Sequence, residues 1–178
     1  MVALTDIPTI ETARLLLRPH RLSDFEAYAA MWQDPVVIRF IGGVPFTPEQ
    51  SWTRFLRHAG LWHHLGFGFF AIEHKATGTF AGECGFHELR RAITPSIEGT
   101  MEAGWSLTGP MQGQGLAEEA VRATIKWAAD YGKGERLTAI VDPDNAASLR
   151  LAGKVGFVEF ARADYAGKPV VMFQRARR

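Results

Sequence analysis

Gln112-Gly113-Gln114-Gly115-Leu116-Ala117 lies between a run with strand periodicity and a run with helix periodicity. Two glycines and a closing alanine leave several consecutive backbone N–H groups free of bulky cover. A loop of this kind at the start of a helix is an anion site. Its unsatisfied N–H groups and the helix dipole both favour phosphate. The turn therefore requires a strand before it and a helix after it, and the sequence on either side supplies both.

The length of 178 residues fits one domain, 1–178, with a substantial core. A net charge of +1 gives no electrostatic footprint for nucleic acid. The one cysteine, Cys84, excludes an intramolecular disulfide framework and a Cys-x-x-Cys metal site. Met1 to Asp6 lacks the basic-then-apolar pattern of a signal peptide, and no apolar run is long enough to span a bilayer. A cytoplasmic protein without membrane partners is expected.

Glu11 to Arg18, with Leu15-Leu16-Leu17, reads as a first strand. Ser23 and Glu26 form a capping box for a helix to about Trp32. Thr47-Pro48-Glu49-Gln50 opens a second helix, which carries Trp52, Phe55, Leu56, Ala59 and Trp62 at helical spacing and ends at Gly66. Phe67 to Glu73 is aromatic and strand-like. In the next strand Phe80, Gly82, Cys84 and Phe86 share one face; Ala81, Glu83, Gly85 and His87 share the other. Thr100 to Leu107 places Glu102 and Ser106 on one side, and the three strands together suggest an antiparallel meander. Leu116 to about Asp130 is an amphipathic helix, Arg136 to Val141 a covered strand, and Asn145 to about Val155 a further helix ended by Gly156. Phe157 to Tyr165 and Val170 to Gln174 make a hairpin. The order predicts a mixed α/β sheet in which the middle strand–helix–strand unit brings two strands together in parallel.

A dinucleotide fingerprint requires a third glycine where Glu118 stands, and the Gly-x4-Gly-Lys-Ser/Thr phosphate loop is absent. The loop does match Gln/Arg-x-x-Gly-x-Gly/Ala. Downstream, Asn145-Ala146-Ala147-Ser148 continues to Lys154-Val155-Gly156-Phe157. These two stretches resemble the signatures of the GNAT acetyltransferases. Glu11 to Pro19 and Asp34-Pro35 are similar to the opening of its branch of RimJ/RimL-like ribosomal-protein acetyltransferases. The resemblance runs from about Ile10 to the end of the chain.

That resemblance implies the acyl-CoA N-acyltransferase fold: a twisted, mostly antiparallel sheet with one parallel pair splayed at the coenzyme cleft. It implies acetyl transfer from acetyl-CoA, without a metal, to a primary amine of a small molecule or a protein N-terminus. Attack would be direct, in a ternary complex, and relatives are often homodimers. Gln112, Gly113, Gln114, Gly115, Leu116 and Ala117 would hold the pyrophosphate; Trp105, Ser106 and Leu107 would pair with the pantetheine through their backbone, and Asn145 would contact it while capping its helix. A backbone N–H near Trp105 to Leu107 would stabilise the oxyanion. Candidates for the base are Glu102, then Glu83, then His87, with a water relay also open. Many family members carry a tyrosine where this chain has Ala152, so Ser148 is the remaining acid candidate. Gly153 replaces the branch's usual glutamate. The missing tyrosine keeps a non-catalytic acyl-CoA-binding module as an alternative. His63 and His64 are adjacent, which points them apart on a helix, and a metal pair there needs i, i+4 spacing. Cys84 is expected to pack as a small apolar residue. Phe40 to Phe46, with its two glycines, is the expected acceptor-facing loop.

Overall fold

The computed structural model describes residues 7–131 and 136–176; the reading of Met1 to Asp6 as leaderless lies outside them. One eight-stranded sheet runs β1 (Ile10–Glu11), β2 (Leu15–Arg18), β3 (Phe69–His74), β4 (Thr79–His87), β5 (Met101–Leu107), β6 (Arg136–Val141), β8 (Lys168–Ala176), β7 (Val158–Tyr165). Every neighbouring pair is antiparallel except β5 and β6, as the expected fold requires.

The first strand is two short ones. The Thr12 hydroxyl accepts from the Leu15 amide at 3.0 Å, while the Thr12 amide donates to the Leu15 carbonyl at 2.9 Å, and this closes a tight turn between them. Helix α1 (Phe25–Met31) follows a 3₁₀ turn over Leu22–Asp24 rather than a Ser23–Glu26 box. Asp24 decides this. Its carboxylate turns inward to the Arg18 guanidinium, with both bonds at 2.8 Å, and accepts from the Arg21 amide at 2.7 Å. A bidentate, shielded pair of this kind outweighs an exposed cap. Asp34-Pro35 does more than stop α1. Asp34 caps the short α2 (Pro35–Ile38) by accepting from Val36 N at 2.9 Å. Helix α3 (Pro48–Leu65) has the expected reciprocal Thr47–Gln50 box, and Gly66 ends it in the left-handed conformation with φ 77°.

Helix α4 (Leu116–Tyr131) covers one face of the sheet. Leu116, Ala120, Val121, Ile125 and Ala128 pack there against Leu17, Phe70, Cys84, Phe86 and Met101. Cys84 is buried in this layer, its Sγ 3.6 Å from the Thr124 hydroxyl, and burial pushes the thiol up to about 12. The helices α1 to α3 form a second apolar cluster of Tyr28, Met31, Trp32, Val37, Ile38 and Phe55, joined by Phe80. Helix α5 (Ala146–Lys154) follows β6.

Strict alternation along β4 fails at one point. Phe80 pairs with Glu73 and Gly82 with Ile72, so Ala81 is an extra residue without a counterpart. This bulge reverses the odd–even rule. Phe80 joins the α1–α3 cluster while Ala81 joins Cys84 and Phe86 beneath α4. Glu83, Gly85 and His87 then lie opposite Ser106, Gly104 and Glu102 of β5. Gly104 makes room for an aromatic lid, since a Cβ there would sit 2.6 Å from the Phe69 ring.

Candidate active site

Strands β5 and β6 touch at only two register points, Met101 with Leu137 and Glu102 with Thr138. The Thr100 and Thr138 hydroxyls bond at 2.7 Å beside them. Beyond Glu102 the strands part. The gap opens into two cavities of about 500 and 480 Å³, which share Phe40, Ile41, Trp105, Ser106, Asn145 and Ser148 as walls. The loop expected to face the acceptor thus borders both.

The smaller cavity ends at the glycine turn. Gln112, Gly113, Gly115, Leu116 and Ala117 line it, as does Leu107; Gln114 does not. Gly113 and Gly115 take φ of 75° and 76°, a conformation that only glycine adopts without strain. The turn's other groups are held elsewhere. Gln112 Nε2 donates to the Leu107 carbonyl at 3.0 Å, Gln114 Nε2 to the Pro110 carbonyl at 2.8 Å, and Arg14 to the Gln114 carbonyl at 2.9 Å. Among the described residues, the amides of Gly113 to Glu118 find no protein acceptor. They are the uncommitted donors of the α4 N-terminus.

Asn145 caps α5 as expected, accepting from the Ser148 amide at 3.0 Å. The Ser148 hydroxyl accepts from the Trp105 indole N–H at 3.2 Å, which ties α5 to β5 across the gap. Accepting there leaves the hydroxyl proton able to be donated to a further group. Ala152, at the family's tyrosine position, is fully buried in the core.

The larger cavity contains His87 and Glu102. Both Glu102 oxygens are bound by Arg91, at 2.7 and 2.9 Å, and His87 Nε2 stands 3.1 Å from Oε1. Burial works to raise the Glu102 carboxyl, but His87 and Arg91 outweigh it and hold the group below its ordinary value. Arg91 in turn lies against the Tyr165 ring, 4.8 Å from its centroid.

Glu83 lines neither cavity. It is wholly buried, with His58 Nε2 at 2.9 Å, His20 Nε2 at 3.6 Å and Arg54 at 3.5 Å. Burial alone would raise its carboxyl; these neighbours hold it well below the usual range. His20 and His58 stack face to face, 4.2 Å apart and 2° from parallel, so no point lies in the plane of both rings. A shared metal would require one ring to turn.

Burial lowers His58 from 6.5 to about 4, against the pull of Glu83. Between those values the unfolded chain binds the extra proton, so folding stability rises with pH. The contribution is complete above pH 6.5 and is lost as pH falls toward 4. The melting temperature is therefore expected to drop across this window, and His58→Gln to flatten the drop. An identical pH slope in the variant would remove His58 as its source.

Arg54, Arg57, Arg91, Tyr165 and Lys168 also line the larger cavity. They lie outside the two sequence signatures. The i, i+3 spacing of Arg54 and Arg57 on a predicted helix was an available signal for that pair, whereas no motif marks Arg91.

A mostly antiparallel sheet, parted at its one parallel pair beside an amide-lined helix start, defines the acyl-CoA N-acyltransferase fold. Residues 14–158 match the model of the acetyltransferase (GNAT) domain, and the chain belongs to the GNAT acetyltransferase family. The uncharacterized N-acetyltransferase p20 of Bacillus licheniformis is 29% identical over 152 residues, 84% of this chain and 82% of the relative. A putative GNAT-family acetyltransferase from Bordetella pertussis superimposes with a TM-score of 0.85 at 29% identity, over 95% of this chain and 99% of the other. The ribosomal L7/L12 α-N-protein acetyltransferase RimL, solved in complex with coenzyme A, shares the fold with a TM-score of 0.76 at 19% identity, over 95% and 98% of the two chains. The RimJ/RimL-like resemblance is thus present among the structural neighbours, and the chain is an acetyltransferase. No helix among the described residues is long and apolar enough to cross a membrane.

Proposed function

We propose that the protein moves the acetyl group of acetyl-CoA onto a primary amine by direct attack, both substrates being bound together. The observation that carries this is the meeting of the two cavities at Trp105, Asn145 and Ser148. One ends in free amides suited to a diphosphate, and the other contains a proton acceptor beside a carboxylate. The coenzyme supplies a thioester carbonyl open to an amine.

The protein's own groups then divide the work. The free amides from Gly113 to Ala117 bind the pyrophosphate, backed by Arg150 and Lys154 on the same wall. The backbone of Trp105, Ser106 and Leu107 is available to the pantetheine, because β6 has parted from it. An N–H of that stretch faces the developing oxyanion. Ser148, with Trp105 fixing its oxygen, gives a proton to the departing thiolate. Both Glu102 oxygens are already engaged by Arg91, which favours a positioning role. It orients and stabilises His87, and His87 takes the proton from the amine.

Incubation with acetyl-CoA and a panel of amines and peptides, followed by mass spectrometry, tests this. Transfer to at least one primary amine is expected; none, with coenzyme bound, would overturn it. Ser148→Ala should lower turnover by about 10²-fold, at the low end for a lost proton donor, while the coenzyme dissociation constant stays near its original value. Unchanged turnover would take the acid role away from Ser148.

A further inference from the structure

The charges around the larger cavity do not balance. Arg54, Arg57, Arg91 and Lys168 line it, against Glu102 and Asp142. Arg91 and Glu102 neutralise each other in a bidentate pair. Arg54 lies 4.1 Å over the Trp32 ring and reaches the buried Glu83 at 3.5 Å. Lys168 donates to the Gly42 carbonyl at 3.0 Å, and Asp142 is the other carboxylate on the cavity wall. Arg57 is left over. Among the described residues it has neither a carboxylate within ion-pair distance nor a hydrogen-bond acceptor, and its Nε is shut off from solvent.

A guanidinium does not shed its proton inside a protein. Burial, then the charge of Arg54 and more weakly that of Arg91, act against the charge on Arg57 and outweigh the pull of Glu83. A half-buried cation is costly unless an anion meets it. Glu83 favours that charge from the protein side, but it is already engaged by His58 and Arg54 and lies outside the cavity, so the cavity-facing side of Arg57 is open to an anion brought by the occupant. The coenzyme's phosphates do not fill this need, because Arg57 borders the larger cavity only and the amide loop borders the other. Arg54 and Arg57 stand three residues apart on α3, on one face of the helix, so a single anion is able to meet both.

We propose that the acceptor is a small primary amine that also carries a carboxylate or a phosphate, with the anion held by Arg57 and Arg54 and the amine turned toward His87. This rests on the acetyl-transfer reading above and names its acceptor class. A cavity of about 500 Å³ suits a small molecule of this kind. The uncompensated charge of Arg57 also disfavours a polycation.

Matched acceptors test it. Phosphoethanolamine is compared with ethanolamine, an α-amino acid with its amide, and each with a neutral N-terminal peptide, by initial rates of thiol release. The anionic member of a pair is expected to win in kcat/KM by about 10- to 100-fold, the range for a charge-assisted contact. The winning pair shows whether carboxylate or phosphate is preferred. Arg57→Ala should erase the preference mainly through KM, and Arg57→Lys should retain most of it. If neutral amines or the peptide are used equally well, the anionic acceptor is overturned and acetyl transfer stands; if Arg57→Ala keeps the preference, the assignment of the anion to Arg57 is overturned. If coenzyme binds and no amine in the panel is acetylated, both fall. The comparison on the unaltered protein decides the matter even if a variant fails to fold.

Discussion

His87→Ala is expected to reduce kcat by about 10²- to 10⁴-fold, the usual worth of a positioned general base, with coenzyme affinity preserved. The expectation follows from how the three candidate bases differ. Glu83 is wholly buried and borders neither cavity, so no amine reaches it. Glu102 borders the cavity, but Arg91 occupies both of its oxygens and its proton affinity is held down. His87 borders the same cavity, pairs across the strands with Glu102, and packs on the Phe69 ring at 5.2 Å. When its imidazole gains a proton, a fixed carboxylate stands 3.1 Å away. Calorimetry with coenzyme A separates a lost base from a lost fold. Undiminished turnover in the variant would leave the proton to a water instead.

Gly82→Ala is expected to cost about 2–5 kcal/mol, the sum of overpacking and of a left-handed φ forced on a residue with a side chain. Gly82 has φ 146°. A Cβ there would press on the Ser106 carbonyl oxygen and lie 2.8 Å from Leu107 Cα. Both are main-chain atoms of β5, so neither moves without displacing the strand. At this chain length the loss amounts to a melting temperature lower by roughly 10 °C. The same displacement shifts the backbone of Ser106 and Leu107, and coenzyme binding should weaken with it. Gly153 is the natural control. Nothing lies within 4 Å of a Cβ added in its helix, so alanine there should be neutral or stabilising. A Gly82→Ala protein that melts like the original would show that β4 and β5 have slack the geometry denies them.

Local chemistry was legible in the sequence where the residues that decide it are neighbours along the chain. The Thr47–Gln50 box, the Asn145 cap and the glycine turn before α4 all depend on contacts within a few positions. The parallel pair at the centre of the sheet followed from the order of the elements. What stayed hidden depends on partners distant in sequence or on irregular backbone. Ser23 has the right spacing for a cap, but Asp24 is drawn inward by Arg18 from the preceding strand. The bulge at Ala81 exists only in the pairing of β4 with β3, and alternation alone assigned Phe80 and Ala81 to the wrong faces. Nothing in the spacing around Glu102 reveals that Arg91 binds both of its oxygens. That residue arrives from the irregular segment between β4 and β5. The stack of His20 on His58 joins the stretch before α1 to α3, again beyond any local pattern.

The parting of β5 from β6 has a mechanical consequence. Five strands on one side and three on the other are hinged at a short weld near Thr100 and Thr138. An extended ligand lying along the open seam would act as a missing rung and splice the halves, so the loaded molecule should be the stiffer one and should resist heat by an increment that grows with ligand concentration.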